Sequence, residues 1–254
     1  MDRSIVIEAA LVDILQLKER IDVDILPMDK LDAFLLSRMY SQGQLHPGWN
    51  SRSIGQKVIT NGEAFVQAIL PFSACWYEAK NSTFEYVDPF HVVAGAYYGV
   101  PTLSAAEGDK VADVLDAQAK NDESEGAHYV RIGEFSLYVA SEGKNRVSLY
   151  RDLKRKIGAR VFNSSYPPSH HLQLVRTLPF GGVALRYIGN QQGFANRLQR
   201  WQAVSMDLAA IPFSESVRLL EAYGVNWGRS QWLIGSPFID RKVKLYICRR
   251  KYAR

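Results

Sequence analysis

Tyr138-Val139-Ala140-Ser141-Glu142-Gly143-Lys144-Asn145-Arg146-Val147-Ser148-Leu149-Tyr150-Arg151 begins as an apolar run, stops at a glycine and continues as a basic run with helical spacing. Upstream, His128 to Ile132 and Phe135 to Val139 alternate apolar and polar residues around Gly133-Glu134, the pattern of a hairpin with a two-residue turn. Downstream, Val147, Leu149, Tyr150, Leu153 and Ile157 recur at helical spacing, and Gly158 follows as a stop. Gly143 is therefore expected where a strand turns into a helix. A glycine there lets backbone approach a ligand closely, and the free N–H groups that open a helix attract anions. Lys144 and Arg146 add positive charge at the same place, so the expected guest is a phosphate.

Each residue of the turn has an expected task. Arg146 forks onto phosphate oxygens, for which a planar guanidinium is suited, and Lys144 serves as a point charge. Ser141, Gly143 and Asn145 complete the phosphate-binding set. Glu142 is the carboxylate beside them, able to hold a divalent ion or to orient a water for attack on a phosphodiester or phosphoanhydride. A surface carboxylate that caps the helix is the alternative for Glu142. Asp88, Glu134 and Asp152 are further acids expected near it.

The same residues resemble a known group. Glu142-Gly143-Lys144-Asn145-Arg146 is similar to the Gly-x-x-Arg signature of the ParB/sulfiredoxin-like fold, seen as Gly-Glu-Arg-Arg in ParB partition proteins and Gly-Cys-His-Arg in sulfiredoxins. Tyr86-Val87-Asp88-Pro89 is similar to the Val-Asp-Pro opening of many ParB-like domains. The resemblance spans roughly residues 84–190 and implies an α/β (α+β) domain whose motif, between a strand and a helix, binds nucleotide phosphates. It further implies ATP or CTP with Mg2+ as cofactors and DNA as partner. Relatives of that kind include DNA-cleaving and nucleotide-hydrolysing proteins, among them plasmid fertility-inhibition proteins related to the oncogenic-suppression activity protein. They also include non-enzymatic DNA-binding regulators and partition factors. Asn145 and Lys144 depart from the sulfiredoxin pattern: Lys144 stands at the position of its cysteine nucleophile, so sulfiredoxin chemistry is not implied.

Composition sets outer bounds. The 254 residues are 47% hydrophobic and 22% charged, the make-up of an ordinary globular protein with a sizeable core. No run of about 18 apolar residues occurs, and the N-terminal Met-Asp-Arg-Ser lacks a signal-peptide layout, which predicts a cytoplasmic protein without membrane association. Cys75 and Cys248 form no Cys-x-x-Cys pair and read as reduced thiols, and His170-His171 has no ligand partner at metal spacing, so no zinc is expected. Walker, dinucleotide-fingerprint and nucleophile-elbow motifs are absent, which argues against a P-loop ATPase, a Rossmann dehydrogenase and an α/β-hydrolase.

The formal charge of +5 is modest, but it is clustered. Arg151, Lys154, Arg155, Lys156 and Arg160 are expected on one helix with Arg146, and Arg241, Lys242, Lys244, Arg249, Arg250, Lys251 and Arg254 lie in the last fourteen residues. These two basic runs predict contacts to the DNA backbone without base specificity; solvated charged faces are the alternative.

The remainder fills in around the turn. Residues 1–42 read as two packing helices, 43–61 as a loop, and Ala64 to Leu70 and Ser73 to Tyr77 as strands or strand–helix mixtures. Ala105 to Lys120 is an amphipathic helix with Val111, Val114, Leu115 and Ala119 on one stripe, and Ala159 to Asn163 is a strand. Ser164 to His170, with Pro167 and Pro168, is a boundary loop. Leu172 to Leu178 and Gly182 to Ile188 form two strands, Arg197 to Leu208 and Glu215 to Tyr223 two helices, and Val243 to Cys248 a basic strand. The expected organisation is a mostly helical extension over 1–83, a phosphate-binding domain over 84–190, and a helical segment with a basic tail over 191–254.

Overall fold

The computed structural model describes residues 2–24, 62–75, 82–93, 104–121, 126–143, 146–178, 182–189, 203–205, 207–211 and 213–232. Helices and two mixed sheets build it, so the chain is of the α/β class. It divides into two compact units: Lys18–Phe65 with Cys75–Ser164, and Met1–Leu17 with Val66–Ala74 and Ser165–Arg254. One division falls between Ser164 and Ser165, at the start of the loop expected over Ser164 to His170.

The unit ending at Ser164 carries the turn. Its strands are β1 (Ser82–Val87), β2 (Val92–Val93), β3 (His128–Ile132), β4 (Tyr138–Glu142) and β5 (Ile157–Ser164), in the sheet order β1-β5-β3-β4-β2. β1 runs antiparallel to β5, β5 parallel to β3, β3 antiparallel to β4, and β4 parallel to β2. Asp88 and Pro89 break β1 from β2. The Asp88 carboxylate accepts from Phe90 N at 2.9 Å, and Pro89, whose ring fixes φ, starts a short 3-10 turn over Pro89–His91. The β3–β4 hairpin has a longer connection than two residues: the strands end at Ile132 and resume at Tyr138. Ile132 N donates to Leu137 O and Phe135 N to Ile132 O, which satisfies the connecting backbone locally.

Among the described residues the first half of the chain carries the helices α1 (Arg3–Asp24), α2 (Gly62–Ile69) and α3 (Ala105–Lys120). Gly62–Ile69, expected to be strand or a mixture, is helical throughout and buries Phe65, Val66, Ala68 and Ile69. α3 opens on a capping box between Ser104 and Glu107, and of the expected stripe only Ala119 and the half-buried Leu115 face inward. Gly108, Ala112, Asp116 and Ala119 are buried, while Val111 and Val114 are 39% and 59% exposed. The small residues turn inward because the neighbours come close: a Cβ on Gly108 would stand 2.9 Å from Leu153 Cδ2.

The basic run does not continue as one helix. α4 (Arg146–Asp152) ends in a Schellman arrangement, with Lys154 N donating to Arg151 O and Arg155 N to Tyr150 O, and with Lys154 at φ 54°. Arg155 and Lys156 then lead into β5, on which Arg160 lies. The core beneath joins Val147, Leu149 and Tyr150 of α4 to Tyr129 of β3, Ala140 of β4 and Val161 of β5.

In the other unit, β6 (Leu172–Leu178) and β7 (Gly182–Tyr187) stand where two strands were expected and pair antiparallel. β8 (Ala203–Ser205), β9 (Leu208–Ile211), β10 (Asn226–Trp227) and β11 (Gln231–Trp232) complete that sheet, and α5 (Ser214–Ala222) precedes β10. Within the expected helix Arg197 to Leu208, residues 203–205 are strand, because Leu208–Ile211 pairs with β7 and draws Ala203–Ser205 beside it. Of the two helices expected in this region, only the one from Glu215 is a helix among the described residues. Tyr223 anchors this unit by donating its hydroxyl to Pro167 O at 3.0 Å and accepting the Arg3 guanidinium at its carbonyl.

The second half of the N-terminal helical region (25–42), the 43–61 loop, Tyr77, Arg197 to Trp201 and the basic strand Val243 to Cys248 lie outside the described residues.

Candidate functional site

Gly143 stands between β4 and α4 at φ +76°, a left-handed conformation that glycine adopts without steric cost. Space enforces the same residue: a Cβ there would meet the Cα and Cβ of Ala127 at 3.1 Å. Arg146 N donates to Gly143 O at 3.0 Å and closes the turn. The strand-to-helix junction expected from the sequence is thus present at Gly143. Lys144 and Asn145 lie outside the described residues.

Arg146 is half-buried, and its stem folds back along the turn, with Cδ 3.5 Å from where a Gly143 Cβ would stand. Its positive charge acts on Tyr129, a fully buried residue of β3. Burial drives the Tyr129 hydroxyl well above the ordinary tyrosine range, and the Arg146 charge opposes that rise. Tyr129 Oη has no hydrogen-bond partner among the described residues. Ser141, expected to contact phosphate, donates its hydroxyl to His128 O at 2.8 Å and so braces the hairpin; its lone pairs remain able to accept.

Glu142 is exposed at the end of β4, and the strand register sets it opposite His128. The register continues across the sheet from His128 to Arg160 on β5 and from Arg160 to Phe84 on β1. His128, the first residue of β3, therefore belongs to the same row as Glu142. No local pattern announces that pairing, because it depends on which strand residues face one another. The other acids expected near Glu142 lie on separate elements. Glu134 sits in the connection at the far end of the hairpin, about 15 Å away at the usual rise per strand residue. Asp152 closes α4, and Asp88 caps the 3-10 turn. Among the described residues no group of three or more His, Cys, Asp or Glu side chains is placed to hold a metal ion.

The cations expected to face DNA have divided tasks. Arg155 binds three carboxylates of α3, Asp113 at 2.8 Å, Asp109 at 3.1 Å and Asp116 at 3.5 Å, which together raise its pKa above the ordinary arginine value. Arg160 donates to Ala119 O and Lys120 O at 3.0 and 2.9 Å, capping the C-terminus of α3. Arg151 donates to Pro89 O at 3.1 Å, lies over the Phe90 ring and stands 3.7 Å from Glu19. Lys154 occupies the left-handed Schellman position and is exposed, as is Lys156. The single basic helix face is therefore replaced by three internally engaged arginines and two exposed lysines. Arg249 and Arg250 lie outside the described residues, and no described helix is long and apolar enough to cross a membrane. Cys75 is a buried thiol whose Sγ–H donates to Glu63 O at 3.9 Å.

No protein-family model, curated protein or solved structure matches this chain.

Proposed function

We propose that this protein acts on DNA through a phosphate-binding turn at Gly143–Arg146, as a member of the ParB/sulfiredoxin-like group with nucleotide-dependent DNase activity. The observation that carries the reading is the left-handed Gly143 at the junction of β4 and α4, with Arg146 three residues on. That is the place and order the Gly-x-x-Arg resemblance implies. The hairpin before it, the helix after it and the Asp88-Pro89 break between β1 and β2 support the same reading.

Binding falls to the turn, Arg146 and Lys144, with ATP or CTP as the expected nucleotide. Arg146 supplies a guanidinium for a phosphate oxygen, and the half-buried stem holds it in place. Glu142 is the exposed carboxylate at the same turn and orients the attacking water as its proton acceptor. Mg2+ commonly sits on one or two carboxylates plus substrate phosphates, and Glu142 fits that mode; the ion would supply charge neutralisation of the phosphate. A non-enzymatic DNA-binding regulator is the second reading. It is favoured by the distance of Glu134, which takes one of the expected acids away from Glu142.

Incubation of purified protein with plasmid DNA, Mg2+ and ATP or CTP, read on a gel, tests the two readings. Nicking or degradation by the wild type, with cleavage lost and DNA binding kept in Glu142→Ala, is the expected result. DNA that is shifted but intact under every metal and nucleotide moves the protein to the regulator class. Absence of both shift and cleavage removes the DNA reading.

A further inference from the structure

One groove of the turn-bearing unit takes no part in the turn itself. Tyr86 of β1, Lys120 and Asp116 of α3, and Arg155 and Lys156 ahead of β5 line it, with Asp113 at its rim. Tyr86 is 59% exposed although it sits on a strand. The cause lies across the sheet: its register partner is Gly158, which offers no side chain to cover the ring. Gly158 is itself required, because a Cβ there would stand 2.9 Å from Asp116 Oδ1. The Tyr86 ring packs edge-to-face with Phe84, 5.3 Å away between centroids, and, being exposed, offers an aromatic surface to the groove it lines.

The charges around that face are specific. Arg155 is engaged with Asp113 and Asp116, whereas no carboxylate among the described residues pairs with the Lys120 or Lys156 ammonium. Three cations against two carboxylates leave the lining slightly positive. That is too little charge to hold a duplex by its backbone alone, where affinity rests on many phosphate contacts. An aromatic platform flanked by a few cations instead suits an unpaired base with its neighbouring phosphates.

We propose that this groove binds single-stranded nucleic acid, with one base stacked on Tyr86 and the adjoining phosphates on Lys120 and Lys156. The assignment rests on the reading of the protein as DNA-acting and adds a strand-form preference that the Gly143 turn does not supply. A protein that opens or nicks DNA produces such unpaired segments, and the groove gives it a place to retain one.

The test is fluorescence anisotropy with a labelled oligothymidylate and a labelled duplex of equal length, using the full chain. Wild type is expected to favour the single strand, and Tyr86→Ala to weaken single-strand binding roughly tenfold, the scale of one lost stack, while Tyr86→Phe keeps it. Replacing both Lys120 and Lys156 by Gln should lower the slope of log affinity against log salt by about 1.4. Single-strand affinity that is unchanged in Tyr86→Ala overturns the groove. Arg146→Ala, measured alongside, separates the two sites. Loss in that variant with Tyr86→Ala unaffected removes the groove and leaves the turn; the reverse removes the turn and leaves the groove. A wild type that binds neither probe removes both.

Discussion

The Tyr150 hydroxyl lies 2.6 Å from Asp116 Oδ1, and the same carboxylate oxygen accepts the Gly158 N–H at 2.8 Å. One buried acid of α3 thus joins α4, which follows the glycine turn, to the start of β5. Arg155 reaches the other oxygen of Asp116 at 3.5 Å and keeps the charge paired. The node fixes the helix whose first residue is Arg146, so the position of the candidate site depends on it.

Tyr150→Phe is accordingly expected to destabilise the fold by about 1.5–3 kcal/mol, the range for a hydrogen bond to a charged group. Gly158→Ala should cost about 1–3 kcal/mol by forcing Asp116 away from the strand. Urea midpoints of the two variants check both values. A Gly158→Ala protein as stable as wild type would show that the approach of Asp116 is not constrained.

Gly143→Ala places a side chain at φ +76° against Ala127, and should lose about 1–2 kcal/mol of stability from the left-handed backbone alone. Gly143→Asn should lose less, since asparagine visits that region more readily. The order Gly, Asn, Ala in urea midpoint is the measurement.

Arg146→Ala is expected to reduce ATP or CTP affinity by about 2 kcal/mol, as for loss of a charge-assisted phosphate contact. Calorimetric titration with and without Mg2+ reads it. Equal affinity in variant and wild type would take the turn out of nucleotide binding.

The buried tyrosines predict a loss of stability in alkali. Burial raises the Tyr129 and Tyr166 hydroxyls above the ordinary value of 10.0. Their folded pKa exceeds the unfolded one, so their contribution is complete below pH 10 and falls as pH climbs towards the raised values. Above pH 10 the unfolded chain sheds these protons first, and stability should drop by about 1.4 kcal/mol per pH unit for each group. Denaturant midpoints across that window, with phenolate absorbance as the reporter of ionisation, test it.

The Ser104–Glu107 capping box carries the opposite sign. Hydrogen bonds from the Ser104 side chain and backbone hold Glu107 below its ordinary value of 4.5. A depressed folded pKa contributes stability above pH 4.5 that fades as pH falls through the lowered value. The carboxyl titration of Glu107 followed by NMR should move up towards 4.5 in Ser104→Ala.

The sequence by itself determined the elements whose signals are local. Gly143 at a strand-to-helix junction, the Asp88-Pro89 break and the helix opening at Ser104 all follow from backbone sterics and capping within a few residues. The first hairpin strand and the strand through Ala159 to Asn163 were legible for the same reason, whereas the second hairpin strand begins at Tyr138 rather than Phe135. The end of α4 was not, because Lys154 holds a left-handed position where glycine is the usual signal. Nor was the inner face of α3, where close neighbours select Gly108 and Ala112 over Val111 and Val114. At the candidate site the turn was readable and its surroundings were not. Only the strand register sets His128 opposite Glu142, and only packing against α3 commits Arg155 and Arg160 to carboxylates and carbonyls. Side-chain charge is written in the sequence, but what these arginines meet is decided by residues 39 to 46 positions away, brought close when helices and strands assemble.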